Sequence, residues 1–187
     1  MGRDADVIRE LTADHREVER LFEMIEAVPS HDPERKRLVD ALAVELVRLA
    51  VAEEECVLPV VRERLPDGPA LADKELHDLG NIERILAALE VRDAGTDDFD
   101  RLVAALEDEV RRHERGDEEG LFVELRRNCP ERDLAAMGDE VRRVTRYART
   151  RPHLQTVETP PEYELLSTES VRFVDGLRAL FRRRRSD

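Results

Sequence analysis

Six side chains in this sequence could do chemistry together: His15, Glu53, Glu83, His113, Asp117 and Glu118. Imidazole nitrogens and carboxylate oxygens are the usual ligands of iron, manganese and zinc. Five of the six continue an apolar stripe. His15 falls between Leu11 and Val18, and Glu53 follows Leu46 and Leu49 in steps of three and four. Glu83 follows Leu76 and Leu79, while His113 and Asp117 continue Leu102, Leu106 and Val110. On a helix, residues three and four apart share a face, so each stripe carries a polar group inward. A carboxylate in an apolar core is costly unless it is paired or bound to a cation. Gly116 precedes Asp117 and permits a π-bulge. Such a bulge would decide whether Asp117 or Glu118 points inward; plain helical spacing favours Asp117.

Four long helices must position these groups. The first carries Val7, Leu11, Val18, Phe22 and Ile25 inward and ends near Pro29. The second starts at Asp32 and Pro33 and runs to about Leu65, with Leu42, Leu46, Leu49, Val57 and Val60 inward. Pro59 lies inside it and should kink it or loosen one turn. After the turn PDGP, a third helix spans about 70–91 with Leu76, Leu79, Leu86 and Leu89 inward. The fourth spans about 98–127. A shorter fifth, about 132–149, caps the bundle. Short connections make the fold all-α, an up-down-up-down four-helix bundle over residues 1–150. The stretch TRPHLQTVETPPEYE then reads as an extended tail, and residues 151–187 end in a short amphipathic helix closed by RRRR.

Composition narrows the function. The 31 basic and 44 acidic residues leave a net charge of −13, which argues against general nucleic-acid binding and suits a binder of cations. Charged residues make up 40% and aromatic ones 4%, as in long helices with ion-paired outer faces. Cys56 and Cys129 have no partner motif, so no disulfide framework or zinc knuckle is expected and a reducing, cytoplasmic setting fits. Cys56 reads as a small buried hydrophobe. No apolar run is long enough to span a bilayer. Nothing resembles a P-loop, a dinucleotide fingerprint or a serine or cysteine triad.

The segments DVIRELTADHREVERLF, ELVRLAVAEEECVLPVVRERLP, LADKELHDLGNIERIL and LEDEVRRHERGDEEGLFVELR resemble the hemerythrin-like, HHE cation-binding family of bacteria over about residues 5–150. The resemblance implies a four-helix bundle around a non-haem di-iron centre. The ligands it implies are a His on the first helix and HxxxE or related pairs on the other three. His15 matches the first position and Glu53 the second-helix carboxylate. Glu83 matches the third-helix carboxylate, His113 the fourth-helix imidazole, and Asp117 or Glu118 its carboxylate. His15, His113 and Glu83 would be terminal ligands, and Glu53 with Asp117 or Glu118 would bridge. Leu49 and Leu79 stand where the pattern calls for His. His77 cannot replace the second, because two residues turn it about 200° around the helix.

The remaining set, two imidazoles and at least three carboxylates, suits one octahedral ion with open positions or two ions in a carboxylate-rich site. The expected cofactor is iron, as one or two ions. The resemblance implies a small diatomic or peroxide ligand, with oxygen, peroxide or nitric oxide as candidates and stress response as the setting. The rival reading is a metal-free bundle that acts as an interaction or regulatory module. A third is a di-iron enzyme consuming peroxide or activating oxygen.

Overall fold

The computed structural model describes residues 6–149, with backbone alone for 146–149. The tail expected at 151–187, with its basic helix, lies outside the described residues. Among the described residues every regular element is helical. They are α1 (Val7–Ala27), α2 (Pro33–Ala52), α3 (Leu58–Arg64), α4 (Gly68–Glu90), α5 (Asp97–Gly116), α6 (Phe122–Asn128) and α7 (Glu131–Arg149). Two single π-helical turns, Glu53–Val57 and Asp117–Leu121, join α2 to α3 and α5 to α6.

The helix starts follow from capping chemistry. Asp6 accepts the Arg9 N–H at 2.9 Å, and Asp32 accepts the Glu34 N–H at 2.9 Å with Pro33 in the first turn. Thr96 accepts the Phe99 N–H at 3.3 Å. Each cap satisfies a backbone donor that the helix itself leaves open. Asp97, Asp98 and Asp100 fill the first turn of α5, where the helix dipole favours negative charge. Buried Arg35 ties three ends together. Its Nη1 donates to the Ile25 and Val28 carbonyls at 2.7 and 2.9 Å, and its Nε lies 3.2 Å from Asp100 Oδ1.

Both π turns begin on a carboxylate. The Leu58 N–H bonds the Glu53 carbonyl, and the Phe122 N–H bonds the Asp117 carbonyl, each five residues back. Pro59 supplies no N–H to the Glu55 carbonyl, so the ladder is interrupted there in any case. The loosened turn expected around Pro59 takes this form, and the irregularity expected after Gly116 takes the same form. One extra residue advances the stripe: Val61 is buried where Val60, the expected inward residue, is half-buried.

The core fills the space between helices. Its members include Leu11, Val18, Phe22, Leu42, Leu46, Leu49, Leu86, Phe99, Leu106 and Val110. α4 packs on α3 and α5, and α1 packs on α2 and α7. α7 is not a short cap. Its 19 residues lie against α1, α2 and the first π turn. Between α1 and α2, Arg48 is 1% exposed and holds Asp14 at 3.2 Å and Glu45 at 2.6 Å. These contacts fix the register in which His15 and Glu53 approach. No described helix is long and apolar enough to cross a membrane.

The turn between α3 and α4 is tight. Asp67 takes a left-handed φ of 54°, and a Cβ on Gly68 would sit 2.1 Å from the Val61 carbonyl oxygen. Backbone cannot give way as a side chain can. Gly68→Ala should destabilise the protein by about 1–3 kcal/mol, an overpacking cost. The check is a lower urea midpoint at unchanged m-value.

Candidate metal centre

The site lies where α1, the first π turn, α4, and the α5–α6 junction meet. His15, Glu53, Glu75, His113 and Asp117 are buried there, exposed by 2%, 5%, 4%, 6% and 1%. Two triads can each hold a cation: His15, Glu53 and Asp117, and Glu75, His113 and Asp117. Within each, one ligand atom per residue lies within 4.8 Å of the others, which suits metal bonds of about 2.0–2.4 Å. Asp117 belongs to both.

The imidazoles hang between carboxylates. His15 Nδ1 lies 3.2 Å from Glu118 Oε1 and its Nε2 3.9 Å from Asp117 Oδ2. A carboxylate only accepts, so Nδ1 carries the proton and the lone pair of neutral His15 is on Nε2. His113 Nε2 lies 3.3 Å from Glu53 Oε2 and 3.6 Å from Asp117 Oδ2, and its Nδ1 3.3 Å from Glu75 Oε2. Phe122 stacks on His15 with ring centroids 5.8 Å apart.

Charge follows from these contacts. Burial lowers the His15 pKa and outweighs Glu53 and Glu118. Burial acts the same way on His113, but Glu53 and Glu75 overcome it, with Asp117 adding, and hold the imidazole well above its ordinary value. Burial pushes Asp117 well above the usual carboxyl range; His113 opposes this, and Glu53 and Glu75 add to it. Burial acts upward on Glu75 too, yet His113 and Lys74 bring it below the usual range.

The residues fit a cation. His15 Nε2, both His113 nitrogens, Glu75 Oε2 and Asp117 Oδ1 are buried without a hydrogen bond of acceptable geometry. Orphaned polar atoms in a core are costly and rare. Here they converge, and their mix of nitrogen and oxygen suits first-row divalent metals.

His15, Glu53, His113 and Asp117 come together as the sequence suggests. Glu118 touches the outer ring nitrogen of His15 and lies in neither triad. Glu83 also lies in neither triad: it is half-buried, eight residues beyond Glu75 and roughly 12 Å along the α4 axis. Glu75 takes the inward place on α4. The buried stripe is Ala72, Glu75, Leu79, Ile82, Leu86 and Leu89, whereas Leu76 is 38% exposed. At 100° per residue, Leu76 and Glu83 lie about 80–100° from Glu75. Ile82 was the available signal, because a stripe that includes it also includes Glu75. Leu49 and Leu79 are buried one turn from Glu53 and Glu75, and His77 is exposed. Glu54 and Glu55, expected on a solvated face, are half-buried. Cys56 and Cys129 are buried and form no disulfide.

A helical bundle with imidazoles and carboxylates gathered in its core has the architecture of a cation-binding protein. The chain belongs to the family described as Hemerythrin HHE cation binding domain, which it matches over residues 6–125. Neither the curated proteins nor the solved structures give a match.

Glu114, one residue after His113, is 7% exposed, and burial together with Glu19 raises its pKa to about 8. Its folded pKa therefore exceeds its unfolded one. The stability it contributes is complete below the unfolded carboxyl pKa and is lost as pH rises towards the folded value. In metal-free protein, the stability of wild type minus that of Glu114→Gln should fall as pH rises from about 5 to about 8. Urea melts across that range measure it; a flat difference would contradict the assignment.

Proposed function

We propose that this protein holds iron in a carboxylate-rich centre inside an up-down-up-down four-helix bundle. Asp117 is shared between a His15–Glu53 side and a Glu75–His113 side. The observation that carries this reading is the convergence of buried, unbonded nitrogen and oxygen atoms on Asp117. Bound iron would supply redox and Lewis-acid chemistry toward oxygen, peroxide or nitric oxide. The chain's own part is to hold and orient the ligands. Glu118 fixes the His15 tautomer so that Nε2 faces inward, which makes it an outer partner of the site rather than a ligand. Leu49 and Leu79 exclude water on the sides where the resemblance expects imidazoles. A cation that takes a nitrogen of His113 must displace the proton on it, so binding releases protons and strengthens with pH.

A metal-free bundle is favoured by one observation: charged His113, held between Glu53 and Glu75, already supplies a cation to the core. Metal analysis separates the two readings. Protein purified from iron-supplemented cells should contain at least one iron per chain, and iron at about 100-fold excess over its Kd should stabilise it by about 2.7 kcal/mol. Asp117→Asn should abolish the iron content and His15→Ala should reduce it. Iron-free wild type that iron does not stabilise would sink the reading.

A further inference from the structure

The triads are buried, so a cation has to pass a wall of side chains to reach them. Two groups of charged side chains flank α5. Toward α4 the outermost group is Lys74, half-exposed, 3.1 Å from Glu75 Oε1 and 2.9 Å from Asp78 Oδ2. A Cβ on Gly116 would sit 3.7 Å from its ammonium. A fixed positive charge over Glu75 repels an incoming cation.

Toward α1 the arrangement is the reverse. Glu19 is 43% exposed, Glu118 31%, Glu114 7% and His15 2%, a graded descent from solvent to the ligands. Arg16, exposed on α1, spans the outer two carboxylates at 2.8 Å from Glu19 Oε2 and 3.5 Å from Glu118 Oε2. Glu118 in turn touches His15 Nδ1 at 3.2 Å. Glu114 lies on the same helix face as Glu118, four residues before it. Its carboxyl is influenced by Glu19, Glu118 and Arg16, yet it makes no hydrogen bond or ion pair among the described residues. Its oxygens are not among the buried atoms that lack a partner, so the carboxyl of this 7%-exposed residue keeps contact with solvent. Glu19 and Glu118 set two negative charges against the single positive charge of Arg16, which leaves this side negative. Glu118 also sits in the π turn, where the helix ladder is already irregular.

We propose that Glu19, Glu114 and Glu118 form the inlet by which a divalent cation reaches the buried centre, with Arg16 as its movable gate. The proposal rests on the metal-binding reading above. The cation displaces Arg16 from Glu19 and Glu118, is held transiently by Glu114, and passes His15 into the triads. The exposed end of Arg16 swings without disturbing the core.

The test follows Co²⁺ alone entering the metal-free full chain, through its visible absorption in a stopped-flow instrument at low salt. Glu19→Gln and Glu114→Gln together should slow uptake by roughly tenfold at an unchanged end-point, the lower range of electrostatic steering. Arg16→Gln should speed it. Glu119→Gln removes one charge just outside the inlet and should leave the rate as in wild type. Glu19→Gln alone, a surface change that leaves folding intact, should slow uptake several-fold. Equal rates in wild type and the inlet variants, with normal Co²⁺ content, overturn the inlet and leave the metal centre standing. A lower end-point at an unchanged rate also overturns it. Wild type that takes up no Co²⁺ overturns the inlet and the metal centre together.

Discussion

Asp117 sits at the point where both imidazoles and the carboxylates of Glu53 and Glu75 meet. An isolated carboxylate is not stable in such a place; it must be neutralised by a proton, an imidazolium or a metal. Much of the surrounding structure follows from that requirement. Burial and its acidic neighbours push Asp117 toward protonation, while His113 opposes them. Arg48 ties α1 to α2 through Asp14, next to His15. Removing Asp117 would leave two imidazoles and two acids without a common centre.

The same constraint separates two kinds of charge. The outer faces carry many i,i+3 and i,i+4 pairs, such as Arg16–Glu19 and Arg127–Glu124. Each contributes only a few tenths of a kcal/mol. The inner groups are few and held by several contacts at once. Arg35 and Arg48 serve the scaffold by closing helix ends and register. Glu118 and Lys74 act between these layers, since each joins a surface charge to the edge of the centre.

Much of this was legible in the sequence, because apolar spacing fixes helix faces where the stripe is unambiguous. α1 is such a case, and His15 was placed by Leu11 and Val18 on either side of it. Pro33 marked a helix start, and Gly116 marked an irregular turn. α4 was harder to read. Leu79, Leu86 and Leu89 fit two stripes, one with Leu76 and Glu83 and one with Glu75 and Ile82, and only packing against α3 and α5 selects between them. The inward phase of α3 was hidden for another reason: a π turn adds a residue without changing composition, so Val61 replaced Val60. The resemblance offers Asp117 or Glu118 as a bridge, but that Glu75 lies beside it was not legible, because this depends on how four chain segments meet in space.

The two π turns bear on how the long rods are held. Each divides a long rod into a segment of 20 residues and one of 7, whose inward faces are set separately. Glu53 and Asp117 are anchored at these joints. Beyond the joints, Leu65, Leu125 and Cys129 belong to the same core, so the short segments are held by packing and not by the centre.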